Sequence, residues 1–260
     1  MTNSYTKKIK RFYNNNQEFV ISPFNPFREI SDFGKNIVQT YTPNLDGKEV
    51  LDVGCGHGYL LEYLSNNGAV TYGIDISEVA INKARKISPR TEFKVSDANS
   101  LPYGNSQFDY VYCIEVLEHF KNIARALEEM KRVLRPEGYL IISTPNYFNT
   151  AGILKKVFEF VGIYPHNTFA PFTNWKRQEN ENFVTVNNIL KKLKNLEYKI
   201  IDQYTYNTLH GLLPFLAISW KFYRWTPIRS LRHFVERFRR FPILIKLGMN
   251  QIVICQKEKR

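Results

Sequence analysis

Short apolar runs alternate with amphipathic stretches along the first 146 residues of the chain. Five of these runs are brief and rich in β-branched residues, as is typical of buried strands: KEVLDV (48–53), AVTYGI (69–74), TEFKV (91–95), FDYVYC (108–113) and YLIIST (139–144). The segments between them show helical spacing over 58–67, over 78–87 after a capping Ser77, and from Glu115 to Leu134, where RPEG ends the helix. Strands that alternate with helices predict βαβ units and a mostly parallel sheet.

The pattern is less regular after residue 147. Its apolar spacing predicts a helix over 150–162, a loop over 164–183 and a helix over 186–196 that Thr185 caps. YKIIDQYTY (198–206) and GMNQIVICQK (248–257) add two strands. The predicted fold is therefore α/β, with a doubly wound, mostly parallel seven-stranded sheet. Its predicted parts are an N-terminal helical cap (1–47), the sheet domain (48–206 and 248–260) and a helical insertion (207–247) before the last strand.

The first predicted strand runs into a glycine-rich turn, LDVGCGHGYL (51–60). Gly54, Gly56 and Gly58 occupy every second position, where glycine permits backbone conformations and close approaches that other residues resist. In a parallel α/β sheet the first strand-to-helix turn is a usual ligand site, because the free N–H groups of the helix start face it. A tight turn without a ligand is the alternative that the glycines alone leave open.

Polar and small residues follow the next three predicted strands and favour the ligand. Asp75 ends the second strand, where a carboxylate can accept hydrogen bonds from ribose hydroxyls. Asp97 and Ala98 follow the third strand, at a place where a purine edge can be recognised, and Ile114 and Glu115 follow the fourth. The G-x-G-x-G spacing differs from the G-x-G-x-x-G of nicotinamide enzymes. We therefore expect a nucleoside ligand rather than a dinucleotide.

Five motifs in order, VLDVGCGHGYL, YGIDIS, SDA, FDYVYCIEVLEHF and RVLRPEGYLIISTPN, resemble those of class I S-adenosylmethionine-dependent methyltransferases. The resemblance is strong over residues 48–146. Within that class the chain is most similar to the ubiquinone-biosynthesis O-methyltransferases, through CIEVLEH and the upstream NPFR (25–28). The resemblance implies a Rossmann-like methyltransferase fold and S-adenosylmethionine as cofactor. It also implies these cofactor-binding residues: Arg28, Asp52, Gly54, Gly56, Gly58, Asp75, Ile76, Asp97, Ala98 and Ile114.

The resemblance further implies which part of the cofactor each residue meets. Gly54 and Gly56 would contact the methionine part, Asp75 the ribose diol, and Asp97 with Ala98 the adenine. Arg28 matches an arginine that pairs with the cofactor carboxylate, for which a guanidinium fork is suited; an ordinary surface charge is the alternative. Of the other two side chains in the loop, we interpret Cys55 as a small packing residue and His57 as a lining residue without a catalytic role.

Glu115, Glu118 and His119 are the candidate catalytic residues of the chain. On the predicted helix their i, i+3 and i+4 spacing places them on one face. The resemblance implies a divalent cation held by these three side chains, whereas His119 acting directly as base and a purely structural face are the alternatives. The quinone enzymes also carry a loop histidine where this chain has Gln178. The nearest loop histidine here, His166, is a third catalytic candidate, with an exposed surface histidine as the alternative reading.

Basic residues concentrate near the end of the chain. Of a formal net charge of +12, residues 205–260 supply 11 Lys and Arg against 2 Asp and Glu. Within the insertion, LHGLLPFLAISW (209–220) is apolar but too short for a membrane span, KFYRW follows, and a helix is predicted from Pro227. Its apolar stripe is Ile228, Leu231, Phe234, Val235 and Phe238, and its other side carries Arg229, Arg232, Arg237, Arg239 and Arg240. This pattern predicts binding to an anionic membrane surface, with a lid helix over the active site as the alternative.

The sequence thus predicts a methyltransferase, and an O-methyltransferase of a small lipophilic or lipid-linked acceptor fits best: a quinone precursor, another phenolic or a glycolipid sugar. A nucleic-acid methyltransferase is less favoured, because CIEV stands where base-methylating enzymes carry a proline-containing motif such as NPPY. A non-catalytic nucleoside-binding protein is the third class. Three scattered cysteines and a start without an apolar signal region predict a cytoplasmic protein. The basic insertion predicts that it is peripheral on the inner face of the membrane.

Overall fold

A computed structural model describes residues 4–15, 32–149, 153, 157, 160–161, 182, 184–206, 231, 234–235, 237–248 and 250–259. The helices are α1 (Ser4–Asn15), α2 (Asp32–Tyr41), α3 (Tyr59–Asn66), α4 (Glu78–Ile87), α5 (Ile123–Val133), α6 (Val186–Asn195) and α7 (Pro242–Leu247), with a 3₁₀ turn at Leu117–His119. The strands are β1 (Glu49–Val53), β2 (Val70–Asp75), β3 (Glu92–Val95), β4 (Phe108–Ile114), β5 (Leu134–Pro145), β6 (Tyr198–Tyr206) and β7 (Asn250–Lys257).

The strands form one seven-stranded sheet in the order β3-β2-β1-β4-β5-β7-β6. β1 pairs in parallel with β2 and with β4, and β2 pairs in parallel with β3. β7 runs against β5, because Gly248 lies beside Asn146 while Lys257 lies beside Leu134. The sheet is therefore mostly parallel with an antiparallel strand near one edge, which confirms the predicted fold class. The strand order reverses between β1 and β4, next to the glycine turn.

Most of the predicted elements are confirmed to within one or two residues. Ser77 caps α4, since its Oγ accepts a hydrogen bond from the N–H of Ala80 at 3.2 Å. Thr185 caps α6 in the same way, with its Oγ1 3.3 Å from the N–H of Asn188. Such caps satisfy N–H groups that the helix itself cannot bond, so a single side chain fixes where each helix begins.

The predicted helix from Glu115 to Leu134 is wrong at its start, although its end is confirmed to within one residue. Glu115 has a φ of +53°, which no α-helix accommodates, and helix α5 begins only at Ile123. Asn122 caps it, with its side-chain oxygen 3.1 Å from the N–H of Arg125. At the other end the RPEG segment, predicted to separate helix and strand, is already part of β5, which starts at Leu134.

The chain forms two compact units. The first contains residues 1–142, 193–201 and 254–260. Its core is built from side chains of the central strands that are at most 1% exposed, including Leu51, Val53, Ile74, Val111 and Leu140. This unit carries the glycine turn and the strand ends that follow it.

The second unit contains residues 143–192 and 202–253. Buried polar side chains form several of its internal hydrogen bonds. The side chains of Asn146 and Asn149 both donate to the carbonyl oxygen of Gly248, at 3.1 and 2.9 Å, and the Thr205 hydroxyl donates to the carbonyl of Asn250 at 2.6 Å. These hydrogen bonds satisfy backbone carbonyls that would otherwise be buried without partners.

Much of the predicted insertion, including LHGLLPFLAISW and KFYRW, lies outside the described residues. The predicted helix is confirmed at Leu231, Phe234 and Val235, but Arg237–Arg240 form a turn. The N–H groups of Arg237 and Phe238 bond to carbonyls three residues earlier, so the predicted polar face does not continue to Arg240. Within the described ranges, no helix combines the length and apolar character that a membrane crossing requires.

Candidate active site

The three glycines of the first turn all have backbone conformations in the left-handed region. Their φ values are +81° at Gly54, +52° at Gly56 and +80° at Gly58. A Cβ on Gly54 would lie 2.6 Å from a methyl group of Val116, and one on Gly58 would lie 3.0 Å from the Phe93 ring. The left-handed backbone favours glycine at all three positions. At Gly54 and Gly58 the neighbouring side chains also leave no room for a Cβ.

Asp75 connects the end of β2 to this turn. One of its carboxylate oxygens accepts the N–H of Gly56 at 3.0 Å and the other accepts the N–H of Ser77 at 2.8 Å. Burial raises the pKa of the carboxyl group, and the N–H groups of Ser77 and Gly56 oppose that shift. The N–H of Ile76 also bonds to this carboxylate, and the acceptor capacity that remains can receive the hydroxyls of a ribose.

Asp52 is a buried carboxyl group beside Asp75. Its residue is 4% exposed, and its Oδ1 atom has no hydrogen-bond partner. Burial, and secondarily the charge of Asp75, raise the pKa of this carboxyl from 3.8 to about 8. A buried acid of this kind is stabilised in its charged form by a nearby cation.

These residues fit S-adenosylmethionine, which carries a sulfonium and an ammonium group beside a ribose diol. The orphaned oxygen of Asp52 suits the cationic part, and the acceptor sites of Asp75 suit the diol. The three glycines have no side chains, so the backbone of the turn can approach a ligand closely. The structure thus supports the predicted roles of this turn, although the individual contacts to the cofactor stay predictions.

The predicted adenine residues follow β3. Asp97 forms a tight turn in which its Oδ1 accepts both the N–H and the side-chain N–H of Asn99, at 2.9 and 2.8 Å. The N–H of Ser96 bonds to the carbonyl of Asp75, which joins the end of β3 to the end of β2. Ala98 and Ile114 are each 6% exposed. Sequence reasoning missed Asn99, whose Oδ1 is buried without a partner and is a further candidate for reading a purine edge.

The predicted metal site is not supported. Since residues 115–119 are not α-helical, Glu115, Glu118 and His119 do not share the helix face on which the prediction relied. Among the residues that the structure describes, which include these three, no group of His, Cys, Asp and Glu is arranged to hold a metal ion. The correction follows from the positive φ of Glu115, which turns the chain before the 3₁₀ segment.

His119 and Glu118 nevertheless form a close, mostly buried pair. His119 Nε2 lies 3.6 Å from Glu118 Oε1, and the two side chains are 13% and 4% exposed. The ring of Tyr13 in α1 packs edge-on against the His119 imidazole, with centroids 5.8 Å apart. Sequence reasoning missed Tyr13, although the buried Ile9 and Tyr13 follow helical spacing in the sequence.

The other predicted residues fall into two groups. Arg28 and His166 lie outside the described residues. The two side chains within the loop are described. Burial raises the pKa of the Cys55 thiol well above its usual value, so it stays protonated, consistent with a packing role. Burial, with the charge of Lys83, lowers the pKa of His57 to about 4, so His57 is neutral at pH 7.

Comparison with known proteins agrees with this geometry. Residues 51–142 match the family described as "Methyltransferase domain". The ubiquinone biosynthesis O-methyltransferases of Acinetobacter baylyi and Thiobacillus denitrificans are 31% and 36% identical to this chain, over 131 and 130 residues. Each match covers 48% of this chain and 55% or 56% of the relative. The chain thus spans about half the length of the curated relatives it matches.

Solved structures with a similar fold extend over nearly the whole chain. The [4+2]-cyclase SpnF superposes with a TM-score of 0.63 at 18% identity, covering 98% of this chain and 97% of its own. Magnesium protoporphyrin IX methyltransferase from Synechocystis, solved with bound SAH, gives 0.61 at 18%, covering 97% and 99%. At such identities the likeness concerns the fold. Residues 51–142 therefore match a methyltransferase domain, on a fold that these solved structures share.

Proposed function

We propose that this protein transfers a methyl group from S-adenosylmethionine to an oxygen of a small lipophilic or lipid-linked acceptor at a membrane surface. The cofactor assignment is supported by three neighbouring features: the glycine turn, the buried Asp52 and Asp75 at the end of β2. The oxygen acceptor is supported by the ubiquinone O-methyltransferases to which half of the chain is similar. The acceptor is a quinone precursor, another phenolic or a glycolipid sugar.

The chemistry divides between cofactor and protein. Bound S-adenosylmethionine supplies an electrophilic methyl group on its sulfonium. The residues of this chain hold that group against the acceptor, and such positioning is a large part of the rate in displacement reactions. We propose that the His119 imidazole accepts the acceptor's hydroxyl proton, and that the Glu118 carboxylate, 3.6 Å from Nε2, stabilises the imidazolium that forms.

Asp75→Ala is expected to weaken S-adenosylmethionine binding about 10- to 150-fold, because a charged acceptor of two ribose hydroxyls is lost. Titration calorimetry of the purified protein measures this change. Asp46→Ala, a matched change in the exposed loop before β1, should leave the affinity as it is. Unchanged affinity in folded Asp75→Ala protein would contradict the assignment of the cofactor site.

Methyl transfer itself is tested with cell extracts and S-adenosylmethionine carrying an isotopically labelled methyl group. The wild-type protein should label a lipid-soluble fraction, and mass spectrometry then identifies the acceptor. In the same assay His119→Ala should retain cofactor affinity and lose most turnover. Cofactor binding without any labelled product would indicate a non-catalytic nucleoside-binding protein. Label in nucleic acid would indicate a nucleic-acid methyltransferase.

The membrane part of the proposal is supported by exposed aromatic side chains in the second unit. Phe234, Phe238 and Phe241, here called the aromatic row, stack edge to face with centroids 5.2 and 5.6 Å apart. Phe234 and Phe241 are 57% and 59% exposed, and Ile243 is 71% exposed. A contiguous row of exposed aromatic residues on a protein surface marks an interaction site.

Basic residues accompany the aromatic row. Arg237 and Lys246 are exposed, whereas Arg239 and Arg240 lie over the Tyr204 ring, and Arg240 also pairs with Asp202 at 2.7 Å. Two of the predicted arginines are thus held by their own unit, which leaves Arg237 and Lys246 among the described residues to meet an anionic surface. Aromatic rings next to cations suit the boundary between lipid headgroups and acyl chains.

A second apolar strip occurs in the same unit. Ile153, Val157, Phe160 and Val161 are helical and each at least half exposed, and their spacing places them on one helix face. In a protein that acts on a lipophilic acceptor, such a face is suited to contact the lipid that carries the acceptor. It is a second observation, independent of the aromatic row, in favour of a membrane surface as partner.

We expect the protein to co-sediment with phosphatidylglycerol-containing vesicles and to remain in the supernatant with pure phosphatidylcholine. Phe234→Ser with Phe241→Ser should lower the bound fraction several-fold, because two exposed aromatic anchors are lost. Val70→Ser with Ile201→Ser removes exposed apolar side chains from the first unit and should leave binding intact. If the wild-type protein stays in the supernatant with both kinds of vesicle, the membrane proposal is refuted.

A further inference from the structure

Helix α1 is attached to the cofactor site by one asparagine. Asn14 Oδ1 accepts a hydrogen bond from the Ser77 hydroxyl at 2.8 Å and a longer one from the N–H of Val79 at 3.4 Å. These groups belong to the start of α4, so Asn14 supplements the cap that Ser77 provides. Lys10 adds an ion pair with Glu78 at 3.2 Å, which is largely exposed to solvent and contributes little.

Ser77 links Asn14 to the carboxylate at the end of β2. The N–H of Ser77 donates to Asp75 Oδ1 at 2.8 Å, and the other Asp75 oxygen accepts the N–H of Gly56 in the glycine turn. Ser77 is completely buried. A continuous series of hydrogen bonds therefore runs from α1 through Ser77 and Asp75 to the glycine turn.

The same helix also covers the candidate base. Tyr13, next to Asn14, packs its ring against His119, and Ile9 one turn earlier is 4% exposed. When α1 is docked, Tyr13 restricts the access of water to the imidazole. When α1 is undocked, both Tyr13 and the Asn14 contact are removed at once, because the two residues are adjacent on one helix.

We propose that Asn14 is a positioning residue: through Ser77 it holds α1 against the turn that carries Asp75, so that cofactor binding and α1 docking stabilise each other. This inference rests on the proposed function. A bound ribose would fix Asp75, and with it Ser77, in the orientation that Asn14 recognises. Coupling between two such events is reciprocal: the factor by which docked α1 raises the cofactor affinity equals the factor by which bound cofactor favours the docking of α1.

The coupling is measured from both sides. Lys7, Lys8, Lys10 and Arg11 are trypsin sites within α1, and cleavage there requires that the helix leave its docked position. S-adenosylmethionine should slow cleavage at these sites in the wild-type protein, as followed by mass spectrometry. In Asn14→Ala this protection should largely disappear, and calorimetry should show an affinity about three- to tenfold lower, the effect of one lost hydrogen bond.

Two further variants separate the contact from a general effect on the helix. Asn14→Asp keeps the acceptor oxygen and should restore both the protection and the affinity. Asn15→Ala makes the same residue change at the neighbouring, exposed position and should behave as wild type. If Asn14→Ala and Asn15→Ala bind the cofactor equally and are protected equally, the inference is overturned.

The outcomes also distinguish this inference from the proposed function. A wild-type protein that binds no S-adenosylmethionine would overturn both. If the wild-type protein binds the cofactor and Asn14→Ala matches it in affinity and in protection from trypsin, only the coupling is overturned. Protection of α1 that survives in Asn14→Ala would assign the docking to Tyr13 and Ile9 rather than to Asn14, and would equally overturn it.

Discussion

Asp52→Asn is expected to stabilise the protein at pH 8 and to weaken its binding of S-adenosylmethionine. The pKa of Asp52 is raised from 3.8 to about 8 in the folded protein. Between about pH 4 and pH 8 the Asp52 carboxyl is therefore protonated in the folded state and ionised in the unfolded state. The free energy of unfolding consequently falls as the pH rises from about 4 to about 8, by about 1.4 kcal/mol per pH unit.

Asparagine does not titrate, so the variant avoids this loss. The stability difference between variant and wild type should be absent near pH 4 and grow to on the order of 4 kcal/mol at pH 8. Thermal unfolding at pH 5 and pH 8 measures it, with Asp46→Asn at an exposed site as the matched control. Cofactor affinity should fall because the cationic part loses its carboxylate. A variant that is less stable than wild type at pH 8 would contradict this account of Asp52.

Gly54→Ala is expected to destabilise the protein by about 2–5 kcal/mol and to abolish cofactor binding. The left-handed backbone at φ +81° costs a non-glycine residue about 1–2 kcal/mol. The new Cβ would also lie 2.6–2.9 Å from the Val116 side chain, and overpacking of this kind costs about 1–3 kcal/mol. Urea denaturation measures the sum.

The two contributions can be separated within this chain. Gly47 has a similar φ of +65° and nothing within 4 Å of its would-be Cβ, so Gly47→Ala should show only the backbone cost. Adding Val116→Ala to Gly54→Ala should relieve the overpacking but not the conformational strain. If Gly54→Ala and Gly47→Ala lose equal stability, Val116 does not support the turn as described.

The sequence predicts the first unit well because its signals are local. Strands β1 to β4 are short apolar runs between glycines and polar residues, and Ser77 caps the helix expected of it. The convergence of the glycine turn and Asp75 follows from a rule of parallel sheets rather than from any contact visible in the sequence. The meeting of the glycine turn with Asp75 was therefore predictable, whereas the contacts of these residues to a cofactor stay predictions.

The region after β4 was mispredicted for a physical reason. The helical spacing of α5 extends backward by chance through Glu118 to Glu115, while the backbone there is set by a long-range contact. Val116 lies beneath Gly54, and Glu115 adopts its positive φ in the same segment. The metal prediction failed with the helix on which it was placed.

The role of α1 could not be predicted either. Asn14 meets Ser77 across 63 positions of sequence, and Tyr13 meets His119 across a still longer interval. Helical periodicity indicates which face of α1 is buried but not what that face touches. Contacts between side chains so distant in sequence depend on the assembled fold.

The position of β7 in the sheet has a consequence for how the protein is made. Of the seven strands it is the last in sequence, yet it lies between β5 and β6. During translation β5 and β6 therefore emerge from the ribosome before β7, the strand that lies between them. Until β7 emerges, the edges of β5 and β6 that pair with it have no partner strand. Open strand edges are sites of misassembly, so the nascent chain is most exposed to wrong strand pairing until its final strand emerges.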